Sequence, residues 1–222
     1  MRWLPRCLTM PVFALVVIVL VAISIARVAE AADEASTAAD GPVAELSGYF
    51  ESVETLAGEF RQTTRDDTGT VIEQARGRFV MARPQRFVWD YRTPWEQLIV
   101  SDGERLWVHD VGLEQVVVRP LEEALGVGAA QLLSGDMAQL KQNFSLTAVG
   151  EDGVILQPTD PAWDFQRVRL RLDDGIPTAI TVEDGLGQRV EVRLLDLTLN
   201  PTFEADRFEF DPPAGVDVIE GS

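Results

Sequence analysis

Between residues 60 and 118 apolar and polar side chains trade places with a period of two. The pattern is broken every few residues by turns rich in Asp and Gly, and it removes most folds from consideration. The runs EFRQTTRDD, TVIEQARGRFVMA, QRFVWDY, EQLIVSDG, ERLWVHDV and LEQVVVRP follow one another. Connections this short force neighbouring strands to be antiparallel, so the segment predicts a meander. At its centre, residues 77–103 make a hairpin. Phe79 and Met81 fall on one side of its first strand, and Phe87, Trp89 and Tyr91 on one side of the second, with Arg83 and Pro84 in the turn. One face is therefore large and aromatic. It can be half of a sandwich core or the wall of an apolar cavity with an arginine at its edge, and the alternation alone leaves both open.

Strand patterning resumes at NFSLTAVGED and runs through GVILQPTD, FQRVRLRLDDG, PTAITVEDGLG and QRVEVRLLDLTLN to FEFDPP. Val168, Leu170 and Leu172 alternate with Arg167, Arg169 and Arg171, the mark of a strand with one solvated face. About eleven strands result, enough for a strongly curved, barrel-like sheet. Helical spacing occurs in two places. Asp40, Gly41 and Pro42 read as a helix start, after which Val43, Leu46, Phe50, Val53 and Leu56 form one stripe ending near Gly58. Between residues 120 and 141, LEEAL, AAQLLSG and DMAQL read as short helices carrying Leu121, Leu125, Leu132, Leu133, Met137 and Leu140. Gly126, Gly128 and Gly135 interrupt them. Such pieces cover an apolar surface, as a fixed plug or as a moving part. The expected fold is mainly β with short helices over or inside the curved sheet, as a single domain over residues 42–222.

The chain of 222 residues starts differently. Arg2 and Arg6 precede an apolar run from residue 8 to 26, and Ala29-Glu30-Ala31 follows as an A-x-A-like cleavage site. We read residues 1–31 as a cleavable Sec-type leader directing export to the periplasm. A retained anchor is the alternative, because the run approaches the roughly 20 residues that span a bilayer. Residues 32–41 are small and acidic and read as a flexible segment. Cys7 lies ahead of the apolar run and leaves with the leader, so the remaining chain has no thiol for a disulfide or a metal. The formal charge of −17 at pH 7 disfavours nucleic acid and anionic lipid surfaces and favours a monomer.

Catalysis finds little support. His109 is the single histidine and no serine sits in a nucleophile elbow, so a lipid hydrolase would lack its machinery. Pairs such as Asp66 with Asp67 and Asp173 with Asp174 lie at hairpin turns, where carboxylates form the turn itself. The Gly185-Leu186-Gly187 run lacks the third glycine and the strand-to-helix setting of a nucleotide fingerprint, and no metal or cofactor site is expected. What remains is apolar chemistry. Phe79, Met81, Phe87, Trp89, Tyr91, Leu98, Val100 and Trp107, covered by the broken helices, make a wall suited to acyl chains. At roughly 0.8 kcal/mol per buried methylene, ten methylenes supply about 8 kcal/mol before losses.

The string RFVMARPQRFVWDYRTPWEQLIVSDGERLWVHDVGLEQV, with EFRQT ahead of it and FEFDPPAGVDVI at the end, resembles the signature of the periplasmic outer-membrane lipoprotein carriers, the LolA family. The likeness runs over residues 46–219. It implies an unclosed, half-open antiparallel β-barrel with an α-helical lid over a hydrophobic cavity, with no cofactor and no enzymatic activity. It also implies partners: acylated lipoproteins, an inner-membrane ABC-type release complex and an outer-membrane receptor. By that likeness Arg83 matches the arginine that closes the lid, Leu133 falls where its lid partner would be, and Phe50 faces the same region. The lid helices are those bearing Leu121, Leu125, Leu132 and Leu133. A lipid-sensing regulatory or stress-sensor domain of similar half-barrel fold is the competing reading.

Overall fold

The computed structural model describes residues 41–123, 129–161 and 163–221. The leader expected over 1–31 lies outside them, as do Leu125 and the acidic segment, apart from Gly41, which is already helical. Helix α1 covers residues 41–52. Six strands follow: β1 (Thr55–Arg65), β2 (Val71–Ala82), β3 (Arg86–Thr93), β4 (Gln97–Asp102), β5 (Arg105–Asp110) and β6 (Gln115–Pro120). A 3-10 turn at Leu121–Glu123 leads towards α2 (Ala129–Ser134) and α3 (Met137–Asn143). The second run comprises β7 (Phe144–Val149), β8 (Gly153–Pro158), β9 (Phe165–Asp173), β10 (Ile176–Asp184) and β11 (Arg189–Leu199). A short β12 (Asp217–Glu220) ends the described chain.

The strands form one twelve-stranded sheet in the order β12-β6-β5-β4-β3-β2-β1-β11-β10-β9-β8-β7. Two antiparallel meanders, β1 to β6 and β7 to β11, are joined where β1 pairs with β11. The sheet is not closed into a barrel. The first meander ends at β6 and the second begins at β7, and α2 and α3 lie in the connection between them, which is why broken helices interrupt a chain that otherwise alternates. Strand β12 pairs with β6 in parallel.

Two expected boundaries move. The first helix ends at residue 52 rather than near Gly58. Val53 N–H still closes the last turn on the Tyr49 carbonyl, but the Asn200 side chain then accepts from Glu54 N–H at 2.8 Å and turns the chain into β1. Leu56 and Gly58 are therefore strand residues. The last strand is likewise not FEFDPP: Phe208 ends a 3-10 turn and pairing resumes only at Asp217.

Registry decides which side chains share the inner face. Residues directly opposite on antiparallel strands point the same way. Phe79 is opposite Trp89 and Met81 opposite Phe87, so these belong together. Two glycines let the rings lie flat. Phe60 is opposite Gly77 and Phe79 opposite Gly58. A Cβ on Gly77 would stand 2.8 Å from the Phe60 ring and 1.9 Å from the Asp90 carbonyl, and one on Gly58 would stand 3.0 Å from the Phe79 ring. Against this wall pack Leu46 and Tyr49 from α1, Val53 just past its end, Leu121, Leu133 from α2 and Leu140 from α3, all buried in one cluster with Leu106, Leu156, Val168, Ile180 and Leu194.

Candidate functional site

The inner aromatic wall is a ladder. The Phe79 and Trp89 rings stack at 4.8 Å, Trp89 and Phe60 lie 4.7 Å apart, and Phe60 meets Tyr91 edge-on at 4.8 Å. Tyr91 closes the row by donating its hydroxyl hydrogen bond to Gln62 at 2.9 Å. Burial pushes the Tyr91 hydroxyl up to about 12. Phe79, Met81, Phe87 and Trp89 are buried and Tyr91 half-buried in the cluster beneath the helices.

Leu98, Val100 and Trp107 do not join them. Leu98 is opposite Asp90, Val100 opposite Val88 and Trp107 opposite Val100, which places all three on the outer face of the sheet. There they pack with Phe203, Phe208 and Phe210 of the C-terminal segment. The expectation that they line the inner wall is corrected by one step of parity. The residues that do continue the wall are Ile99, Leu106 and Val108. In the sequence both sets alternate equally well, and only the pairing of β4 with β3 separates them.

The helices are held by their own ends. A helix leaves its last carbonyls without partners, and α2 ends on three successive carbonyls that each take a donor from elsewhere. The Leu133 carbonyl accepts from the Tyr49 hydroxyl at 3.3 Å. The Ser134 carbonyl accepts from Gln85 N–H at 2.9 Å. The Gly135 carbonyl accepts from Arg83 Nη1. One further tie runs from Gln85 Nε2 to Gln139 Oε1 on α3 at 2.8 Å. The side chain of Asp136 caps α3 by accepting from Gln139 N–H.

Arg83 reaches this position from the turn between β2 and β3. Its own N–H donates to the Glu54 carbonyl at 2.9 Å, and its Nε to the Val53 carbonyl at 2.7 Å. The guanidinium lies over the rings of Phe50, at 4.5 Å, and Tyr49, at 4.9 Å. Nη2 is buried with no hydrogen-bond partner among the described residues. Burial accordingly holds the guanidinium below its ordinary range, and it raises the Tyr49 hydroxyl to about 12 in spite of the neighbouring cation. Arg83 and Phe50 thus lie in contact, the placement that the family likeness implies. The carbonyl that takes the guanidinium is that of Gly135, two residues beyond Leu133, whose own carbonyl goes to Tyr49. Tyr49, not its half-buried neighbour Phe50, carries the inner stripe of α1. The buried spacing is Leu46, Tyr49, Val53, three and then four apart.

Of the expected lid residues, Leu121 and Leu133 are buried and Leu132 is half-buried. A cavity of about 60 Å³ remains beside α3, between Leu132 and Leu140 on the helices and Val168 and Val182 on the sheet. Such a space takes a few water-sized groups and not a whole acyl chain. His109 lies on the outer face, 5.9 Å from the Phe210 ring, away from the wall just described. Among the described residues no helix is long and apolar enough to cross a membrane.

The family model for "Outer membrane lipoprotein carrier protein LolA" matches residues 51–211. A protein of Alkalilimnicola ehrlichii named outer-membrane lipoprotein carrier protein is 44% identical over 207 residues, covering 93% of this chain and 94% of the relative. One of the same name from Halorhodospira halophila is 48% identical over 185 residues, covering 83% and 88%. Among solved structures, a LolA superfamily protein from Nitrosomonas europaea superposes with a TM-score of 0.48 at 14% identity, over 73% of this chain and 95% of that one.

Proposed function

We propose, since this chain belongs to the LolA family of outer-membrane lipoprotein carrier proteins, that its inner aromatic wall receives the acyl chains of lipoproteins when α2 and α3 lift away. The names of the family model and of the relatives support a role as a carrier of LolA type. The finer steps are our reading. Exported by the leader at residues 1–31, the monomer takes a lipoprotein from an inner-membrane ABC-type release complex, shields its acyl chains, and yields it to an outer-membrane receptor. The observation that carries this reading is the trio of carbonyls ending α2, held by Tyr49, Gln85 and Arg83 above a continuous apolar surface.

Such a seat suits transfer. Each lid carbonyl that leaves its donor finds water instead, so the net loss per neutral bond is only about 0.5–1.5 kcal/mol. The apolar surfaces that part are re-covered by acyl chains at roughly 0.8 kcal/mol per methylene. Loading is therefore favourable without being irreversible, and the lid competes for the same wall when the cargo is handed on. Purifying the protein from periplasm and weighing it intact by mass spectrometry tests the reading. A co-purifying triacylated lipoprotein is expected. Recovery with a hydrolysed fatty acid, or of a chain that never takes up purified lipoprotein, would sink it.

A further inference from the structure

The polar ties of the helices are unevenly placed. Those from Tyr49, Gln85 and Arg83 gather at the end of α2, next to the β2–β3 turn. The far end of α3 is fastened by Thr159, whose N–H donates to the Asn143 carbonyl at 2.9 Å. Between these fastenings lies the cavity of about 60 Å³, walled by Leu140, Phe144, Trp163, Phe165, Val168 and Val182. The three aromatic rings cluster, Trp163 lying 5.2 Å from both Phe144 and Phe165. Trp163 is half-buried, whereas Trp89, on the other limb of the sheet, is 4% exposed.

Resting on the carrier reading above, we propose that this gap is the point of entry for an acyl chain: its tip seats against Phe144, Trp163 and Phe165 while the Arg83 bond is still made, and the lid is released afterwards. Three features converge on an alkyl tip as the occupant. The walls are apolar, the space admits only a few methylene-sized groups, and the polar residues that also line it, Asp136, Gln139 and Asn143, include no cation to hold an anionic head. An uncharged head, such as an ester or amide, meets no repulsion from Asp136. The cavity is also wired to the latch. Gly135 forms part of its wall, and the Gly135 carbonyl is the one gripped by Arg83. A chain that advances past Leu140 pushes on the peptide that Arg83 holds, so filling the gap loosens the bond that keeps the rest of the wall covered.

The test uses dodecyl maltoside brominated at mid-chain, uncharged and kept below its critical micelle concentration, mixed rapidly with the protein lacking its leader. Bromine quenches tryptophan only on contact, so the order of quenching reports the path. A fast phase absent from Trp163→Phe is expected, followed by a slow phase absent from Trp89→Phe. Arg83→Leu should accelerate the slow phase, because the lid then leaves without breaking the bond to the Gly135 carbonyl. Val182→Phe, which fills the gap, should slow the fast phase about tenfold, in line with the cost of overpacking. Phe165→Ala, which widens it, should speed it, so the pair stays informative if one variant folds poorly. Trp89 quenched at the same rate as Trp163, or before it, overturns the entry point and leaves the carrier reading intact. No quenching of Trp89 at any time overturns both.

Discussion

Replacing Arg83 with leucine isolates the latch from the wall. Of the bonds Arg83 makes, those to the Val53 and Glu54 carbonyls stay within the α1–β1 junction, and only the one from Nη1 to the Gly135 carbonyl reaches the lid. A hydrogen bond from a charged donor contributes about 1.5–3 kcal/mol, which corresponds to a roughly ten- to hundredfold bias towards the seated lid. Against it stands Nη2, buried without a partner among the described residues, which makes the seated arrangement costlier for the cation by about 1–3 kcal/mol. The cation–π contacts with Phe50 and Tyr49 sit on α1 and do not distinguish the two lid positions. With the bond at about 3 kcal/mol, the top of its range, and the Nη2 cost at about 1.5 kcal/mol, the net bias is about 1.5 kcal/mol, roughly tenfold. Arg83→Leu should then tighten binding of a triacylated lipopeptide about tenfold, because apparent affinity scales with the fraction of protein already competent to bind. Release to a receptor should slow by a similar factor. Calorimetric titration of the lipopeptide, with Arg83→Lys as the partner variant, measures the first quantity. Lysine keeps the charge but offers a point donor in place of a planar fork, so it should fall between the two. An affinity for Arg83→Leu equal to the parent's within a factor of two, with an unchanged fold, would refute the latch.

Three other outcomes follow from the geometry. Gly77→Ala drives a Cβ to 1.9 Å from the Asp90 carbonyl and into the Phe60 ring, so strands β2 and β3 must separate. A loss of about 3 kcal/mol or more is expected in urea unfolding, and a variant as stable as the parent would contradict the packing described for the wall. Trp107→Ala should lower stability by about 2 kcal/mol, less than a fully buried truncation because the ring is half-buried, while leaving acyl binding unchanged, since the ring packs on the outer face. A selective loss of binding would return Trp107 to the inner wall. Alkaline stability depends on two buried hydroxyls: Tyr49 and Tyr91 both titrate near 12 against an ordinary 10.0. Below pH 10 both are neutral whether folded or not, and their contribution is fully present. Between pH 10 and 12 the unfolded chain gives up its protons first, so stability falls by about 1.4 kcal/mol per pH unit for each tyrosine. Urea midpoints measured from pH 9 to 11.5 should show this decline, and Tyr91→Phe should halve its slope.

What the sequence could and could not reveal divides along a physical line. Alternation is local, so the antiparallel meanders and the aromatic side of the β2–β3 hairpin are legible without coordinates. The interruption of the pattern after Pro120 equally marks the helices that lie between the limbs. Which face a later strand contributes is set by registry across a turn, and a shift of one residue exchanges the two faces completely. Leu98 and Val100 carry the same alternation as Ile99 and Ser101, and nothing in QLIVSD says which set follows Trp89. The same holds for the latch. Arg83 beside Pro84 is visible as a cation at the tip of an apolar hairpin, but its partner is a backbone carbonyl, and every residue has one. The choice of Gly135 over Leu133 depends on where α2 stops, since only the carbonyls past its last turn are unclaimed. Tyr49 and Gln85 serve the neighbouring carbonyls, the first through its hydroxyl and the second through its backbone N–H. A polar residue amid a buried stripe is costly unless it is bonded. Tyr49, at helical spacing between Leu46 and Val53, therefore carried a signal of its own: its hydroxyl had to meet an acceptor, and the orphaned end of the helix lying across the wall was the nearest supply.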